Sequence, residues 1–152
     1  AKLLDAVPAA LRTDSSYLFS KAKLLRRAEK VDEAAKLMAA SGRDPTILAD
    51  GDAWWIERRL VARELLDGGD PAAAYAVAVD HGAVSGERRI EAEFHAGWIA
   101  LRFLGKPALA RQHFDRAADI AGTPISLARA AYWQGRAAAD LGQAGEARAL
   151  FE

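Results

Sequence analysis

The chain has 152 residues, and its 21 lysines and arginines balance 21 aspartates and glutamates. This neutral balance does not indicate binding to nucleic acid or to an anionic membrane surface. The sequence has no cysteine, which excludes disulfides, thiolate zinc sites and cysteine nucleophiles. No apolar run reaches the roughly 18 residues of a membrane span. Hydrophobic residues make up 51% of the chain, so the length suits one domain with a sizeable core.

Helix signals dominate the sequence, and strand signals are almost absent. Capping residues, glycines and prolines divide the chain into about eight helices joined by short loops, which is typical of antiparallel helix hairpins. We expect helices over residues 15–27, 31–40, 53–66, 71–80, 87–104, 107–121 and 124–141, with Gly142 ending the last of these and a further helix running to the chain end. The expected N-caps are Ser15 or Ser16 for the first helix, and Asp52, Asp70 and Thr123.

Four segments align without gaps, at separations of 40, 36 and 37 residues: EKVDEAAKLM, GDPAAAYAVA, GKPALARQHF and GQAGEARALF. Three of them begin with glycine after a helix, and all have alanine at the sixth position. We interpret this alanine as the close crossing of two helices in a hairpin, and the tenth position as a contact between hairpins. The alanines are Ala34, Ala74, Ala110 and Ala147, and the tenth residues are Met38, Ala78, Phe114 and Phe151.

The preceding helices share two weaker columns in the same alignment. The first column is Leu25, Leu65, Leu101 and Ala138, and the second is Ala22, Ala62, Trp98 and Gly135. A single hairpin cannot bury its own apolar face, so hairpins of this kind stack on one another. The sequence therefore predicts an all-α fold: one domain over residues 1–152, a tetratricopeptide-like α-solenoid or superhelix of stacked helix hairpins with about eight helices.

Aromatic and charged residues have structural interpretations. We expect Trp54, Trp55, Trp98 and Trp133 to form core contacts or contacts between hairpins. Trp54 and Trp55 are adjacent and about 100° apart on a helix, so both cannot point fully inward. The charge runs over residues 57–59 and 87–89 are typical of solvated helix faces.

The sequence contains no recognisable catalytic, cofactor-binding or metal-binding set, and we predict no such residue and no cofactor. His81, His95 and His113 are too scattered for a metal site. Glu91 and Glu93 point to different sides of a helix, so they form a poor acid/base pair. Four polar residues stay unassigned, either solvated or lining a groove: Arg102, Lys106, Arg111 and His113.

Three stretches resemble the superhelical region of soluble lytic murein transglycosylases: WWIERRLVARELLDGGDPAAAYAVAVDHG, EAEFHAGWIALRFLGKPALARQHFDRA and TPISLARAAYWQGRAAADLGQAGEARALFE. They cover about the last two-thirds of the chain. The most specific part is EFHAGWIALRFL followed by TPISLARAAYWQGRAA. In that family a lysozyme-like domain follows the superhelix and cleaves glycan strands, leaving 1,6-anhydro ends. Its catalytic glutamate precedes a serine; because no Glu-Ser pair occurs here, the resemblance assigns no catalytic residue.

The resemblance implies a periplasmic superhelical scaffold, which is a fragment of a longer protein and lacks the catalytic domain. Its implied partners are that C-terminal domain and, through the parent protein, peptidoglycan; the family needs no cofactor. The alternative is a stand-alone tetratricopeptide-like module for protein–protein interaction. An apolar surface exposed at either end of the chain would also favour self-association.

Overall fold

The computed structural model describes residues 2–152, and over these residues the chain is all-α, as predicted. The helices pack mainly against their neighbours in sequence, consistent with stacked helix hairpins. The described residues form one 3₁₀ helix, Ala9–Leu11, and nine α-helices: α1 (Lys2–Asp5), α2 (Ser15–Arg27), α3 (Val31–Ala40), α4 (Gly51–Asp67), α5 (Pro71–Val79), α6 (Gly86–Arg102), α7 (Pro107–Ile120), α8 (Pro124–Asp140) and α9 (Ala144–Phe151).

The chain divides into two compact units, Ala1–Val84 and Ser85–Glu152. In unit 1, the long helix α4 contacts α2, α3 and α5. In unit 2, α6 packs on α7, α7 on α8, and α8 on α9. Each unit has its own set of buried side chains, while the prediction of one domain over residues 1–152 stays a prediction.

Two predicted N-caps, Asp70 and Thr123, are confirmed. The prediction of Ser15 or Ser16 is wrong, because both residues lie inside α2 and the cap is Asp14.

The predicted N-cap Asp52 is also wrong, because α4 begins one residue before it and Asp50 is the cap. The Asp50 carboxylate accepts a backbone N–H from the first turn of the helix at 2.9 Å. Asp52 instead accepts the backbone N–H of Val84 at 2.8 Å, which fastens the loop after α5 to the start of α4.

The alanines predicted at the helix crossings of the four hairpins are all buried, with at most 5% of their surface exposed. Three of the four tenth-position residues are buried as well, but Phe151 is 49% exposed. The alanine position is therefore buried in all four hairpins, and the tenth position is buried in three of them.

The turn between α6 and α7 spans four residues, 103–106, whereas the other hairpin turns span three. In each three-residue turn, the last N–H donates to the carbonyl five residues earlier, as Gln143 does to Ala138 at 2.9 Å. In the longer turn, Lys106 donates to Ala100, six residues earlier, at 2.9 Å. The alignment of the first helices without gaps is therefore wrong by one residue in this hairpin.

With the extra turn residue allowed for, Gly97 and not Trp98 matches Gly135. The corrected column holds only small, buried residues: Ala22, Ala62, Gly97 and Gly135. A Cβ added at Gly97 would lie 2.7 Å from the Phe114 ring, and one at Gly135 would lie 2.5 Å from the Phe151 ring. Small residues therefore occur on both helices of each hairpin, and at Gly97 and Gly135 they allow an aromatic ring to approach the helix backbone.

The same position in every hairpin turn has a positive φ angle. Gly69, Gly105 and Gly142 adopt it with φ between 61° and 84°, a conformation that glycine enters without steric cost. Glu29 holds the equivalent position with φ 60°. The first hairpin therefore keeps the turn geometry although it lacks the glycine.

Candidate functional sites

The predicted solvated face over residues 57–59 is wrong for two of its three members. Glu57 is 3% exposed and Arg58 is fully buried, because three neighbouring helices surround α4 in unit 1. The second predicted run is solvated as expected: Glu87 and Arg89 are exposed, and Arg88 is partly exposed.

Arg58 is held by backbone carbonyls and one aromatic ring. Its Nη2 donates to the carbonyls of Met38 and Gly42, both at 2.8 Å, and its Nη1 donates to the carbonyl of Val77 at 3.3 Å. Its guanidinium carbon lies 5.7 Å from the centre of the Trp54 ring. Burial lowers the pKa of Arg58 to about 10, and the charge of Asp80 opposes that shift. This side chain links α4 to the ends of α3 and α5, which is an architectural role.

Both adjacent tryptophans of α4 are buried, so the prediction that they could not both point inward is wrong. The Trp54 indole N–H donates to the Ser15 hydroxyl at 3.1 Å, and its ring meets the Phe19 ring edge-on. Trp55 meets the His81 ring edge-on at 6.2 Å. Because α4 is contacted on several sides, two directions about 100° apart both lead into the core of unit 1.

Glu57 forms an ion pair with Arg26 of α2, which also reaches Glu64 at 3.5 Å. The hydrogen bond to Glu57 is the main cause of a raised pKa for Arg26. This pair ties the first helix of one hairpin to the first helix of the next within unit 1.

Unit 2 also contains a buried polar side chain, that of His113, which is 2% exposed. Its Nδ1 lies 2.7 Å from Oε2 of Glu93 on α6 and 2.7 Å from Nη2 of Arg116. Arg116 also pairs with Glu93 at 3.0 Å. With a proton on Nδ1 the ring donates to the carboxylate, and without it the ring accepts from the guanidinium. The cluster joins α6 to α7.

The remaining unassigned residues do not converge on one site. Arg111 has a structural role, because it forms ion pairs with Asp115 of its own helix and with Glu146 of α9, both at 2.7 Å. These bonds, that to Glu146 first, raise the pKa of Arg111. Arg102 and Lys106 are exposed.

A cavity of about 500 Å³ opens in unit 2 beside the start of α6, the end of α7 and the start of α8. It carries carboxylates from Glu87 and Glu91 and a guanidinium from Arg129. Arg88 pairs with Glu91 at 3.0 Å, and both Glu87 and Arg129 are exposed. Its charged walls reach solvent, so the cavity has the character of an open polar groove.

A second groove in unit 2 is apolar and lies between α8 and α9, with a volume of about 330 Å³. The side chains of Tyr132 and Phe151 line it and are 46% and 49% exposed. Their ring centroids are 5.8 Å apart. Sequence reasoning missed this groove, because tyrosine and phenylalanine at helical spacing ordinarily belong to a core. We name it the α8–α9 groove; its lining residues are Ala128, Ala131, Tyr132, Leu150, Phe151 and Glu152.

Across the described part of the chain, no group of three or more histidines, aspartates and glutamates is placed to hold a metal ion. No helix over residues 2–152 is long and apolar enough to cross a membrane. No protein-family model, curated protein or solved structure matches this chain.

Proposed function

We propose that this chain is the superhelical scaffold region of a periplasmic lytic transglycosylase. The catalytic domain that cleaves peptidoglycan to 1,6-anhydromuramic products lies outside these residues, and this region holds it in place. The observation that carries the proposal is the course of the three resembling stretches. Each follows one helix hairpin: residues 54–82 lie in α4 and α5, residues 91–117 in α6 and α7, and residues 123–152 in α8 and α9.

Hydrogen bonds and ion pairs between helices suit the hairpins to a scaffold role. Arg58 joins α4 to two neighbouring helices in unit 1, and Arg111 joins α7 to α9 in unit 2. Ties of this kind restrict how far the helices of one unit move against each other, and a region that positions an enzyme domain needs that property.

The coding sequence after Glu152 tests the proposal most directly. We expect it to continue into a lysozyme-like domain that contains a Glu-Ser pair. A second test incubates the 152-residue chain with purified peptidoglycan and analyses the soluble products by mass spectrometry. We expect no 1,6-anhydro muropeptides from the chain alone and their appearance with the longer protein. A stop codon directly after Glu152, or anhydro products from the chain alone, would contradict the proposal.

A stand-alone tetratricopeptide-like interaction module is the second candidate function. The stacked helix hairpins favour it equally, because such hairpins form extended surfaces that can bind a peptide or a protein. A coding sequence that ended at Glu152 would support this function over the scaffold.

A further inference from the structure

The polar groove of unit 2 is the cavity of about 500 Å³ beside the start of α6, the end of α7 and the start of α8. Glu87, Ile90 and Glu91 line it from α6, and their spacing in sequence places them on one helix face. Ser126 and Arg129 line it from α8 and are likewise neighbours on one face. The volume falls within the roughly 300–1,000 Å³ of small-molecule sites. The groove therefore has two walls built from separate helices and room for a small ligand.

Each wall of the polar groove carries a charged side chain at its rim, Glu87 on α6 and Arg129 on α8. Across the described part of the chain, neither the Glu87 carboxylate nor the Arg129 guanidinium forms a hydrogen bond or an ion pair, with each other or with any other residue. Glu91, by contrast, already pairs with Arg88 at 3.0 Å. The groove thus offers a hydrogen-bond acceptor on α6 and a donor on α8, which have opposite charges and stand too far apart to pair.

Ser126 adds a hydroxyl donor to the wall that carries Arg129. The Thr123 hydroxyl donates to the Ser126 hydroxyl at 2.9 Å, and the Ser126 backbone N–H donates to the Thr123 hydroxyl at 3.2 Å. Because Thr123 is the donor between the two hydroxyls, the hydroxyl proton of Ser126 can be donated to a ligand. A carboxylate at this wall would therefore accept hydrogen bonds from a guanidinium and from a hydroxyl, which suits a negatively charged group.

Two isoleucines form the apolar part of the polar groove. Ile90 and Ile120 both line it, and both are partly exposed. Gly86 and Gly122 line it too, and their lack of side chains leaves this area open. A Cβ added at Gly86 would lie 3.8 Å from the Ile120 side chain. A ligand in the groove therefore meets apolar surface as well as two opposite charges.

We propose that the polar groove binds a small zwitterion with an apolar side chain, namely a free amino acid or a short peptide with free ends. The ammonium group of the ligand pairs with Glu87, and its carboxylate binds Arg129 and the Ser126 hydroxyl. Its side chain lies on Ile90 and Ile120. An ion of one sign alone would satisfy only one wall of the groove. The inference goes beyond the scaffold and interaction functions and depends on neither of them.

Heteronuclear NMR titration of the full chain tests the proposal, because it measures weak binding and shows where the ligand lies. The probes are leucine, leucyl-alanine and leucyl-alanyl-alanine, which share both charges and the apolar side chain but differ in length. We expect saturable shifts of the backbone amides over residues 86–91 and 120–129, which contain the lining of the groove, with at least one of the three. The tightest binder shows whether the ligand is an amino acid or a peptide.

Blocked ligands assign each charge to its wall. Glu87→Gln should weaken binding of the tightest ligand about threefold to fivefold, the size expected for an exposed ion pair, but should not affect its N-acetylated form, which lacks the ammonium. Arg129→Gln should likewise weaken the free ligand and leave binding of its C-terminal amide unchanged. Asp119→Asn and Arg89→Gln are the matched controls, because both residues are exposed and do not line the groove, and both variants should bind normally.

Three outcomes would overturn the proposal. The first is the absence of a saturable shift with any of the three probes. The second is an equal loss for the free and the N-acetylated ligand in Glu87→Gln, because binding would then not depend on contact between the ammonium and this carboxylate. The third is a set of shifts confined to residues outside the groove, which would place the ligand elsewhere. None of these results bears on glycan cleavage by a longer protein, so the proposed function is tested separately.

Discussion

Arg58 carries a guanidinium to a position where water cannot solvate it, and its lowered pKa of about 10 shows the electrostatic cost of that burial. The side chain is kept there by its hydrogen-bond acceptors. Met38 and Val77 lie in the last turns of α3 and α5, where backbone carbonyls lack some of their helical partners and helix dipoles present negative charge. One cation therefore satisfies the ends of two helices.

Arg58→Ala is expected to lower the free energy of unfolding by about 3 kcal/mol or more. The variant opens a cavity and leaves buried carbonyls without their donor. Urea unfolding followed by circular dichroism measures the change. Arg63→Ala is the matched control, because Arg63 is an exposed arginine on the same helix, and it should stay within about 0.5 kcal/mol of the parent chain. Equal losses in the two variants would show that the carbonyl contacts contribute little.

Glu29→Gly is expected to stabilise the chain by about 0.5–1 kcal/mol. Glu29 is exposed and has a φ angle of 60°. This conformation strains a residue with a Cβ more than the flexibility of glycine costs in the unfolded state. Glu29→Ala removes the same side chain but keeps the Cβ, so it separates the backbone effect from any loss of charge. The prediction fails if the alanine variant unfolds at the same urea concentration as the glycine variant.

At the scale of elements, the two helices of a hairpin differ in how well their sequence reveals them. Glycine, proline and capping signals act locally, so the bounds of α2 to α9 could be predicted to within a few residues, whereas the short helix α1 and the 3₁₀ helix were missed. The second-helix column could also be predicted, because it is counted directly from the turn. The first-helix column failed at Trp98, since counting backwards crosses a turn whose length varies by one residue.

Whether a side chain is buried or exposed also depends on contacts with residues that are distant in sequence. No residue close to Arg58 in sequence indicates its hydrogen-bond acceptors, two of which lie 16 and 20 residues earlier. Similarly, Phe94 and Tyr132 have equivalent positions in their hairpins, and Phe94 packs against Trp133, which lies 39 residues later on the next hairpin. The α8–α9 groove could not be predicted, because the sequence pattern is the same for a covered and an uncovered ring.

Gly97→Ala is expected to destabilise the chain by about 1–2 kcal/mol, although alanine is the better helix former. The new Cβ would lie 2.7 Å from the Phe114 ring and 3.0 Å from the Cβ of His113. Both neighbours are buried, so neither can move aside without disturbing its own contacts. The effect is measured as a shift in the urea midpoint.

Two further glycines provide the comparison for Gly97→Ala. Gly135→Ala meets the Phe151 ring, which is half-exposed and can turn outwards, so a smaller loss is expected. Gly145→Ala in α9 has no atom within 4 Å of the new Cβ and should gain up to about 1 kcal/mol from helix propensity. Equal effects of the Gly97 and Gly135 changes would contradict the dependence on ring burial.

At the scale of the whole molecule, the buried side chains fall into two sets. Unit 1 is centred on α4, whose tryptophans and Arg58 are enclosed by helices of the same unit. Unit 2 is centred on the rings of Phe94, Phe114 and Trp133. Each unit thus has a set of buried side chains of its own, and a core of its own is a condition for independent folding.

Separate expression of residues 1–84 and 85–152 is therefore expected to give two helical proteins that each unfold cooperatively in urea. Both are small, and unit 2 should be the more marginal, because a chain of this length buries only about 60% of its surface and its Phe151 and Tyr132 stay half-exposed. Tryptophans occur in both units, so fluorescence follows each half directly. A gradual, non-cooperative loss of signal in either half would show that its core needs the rest of the chain.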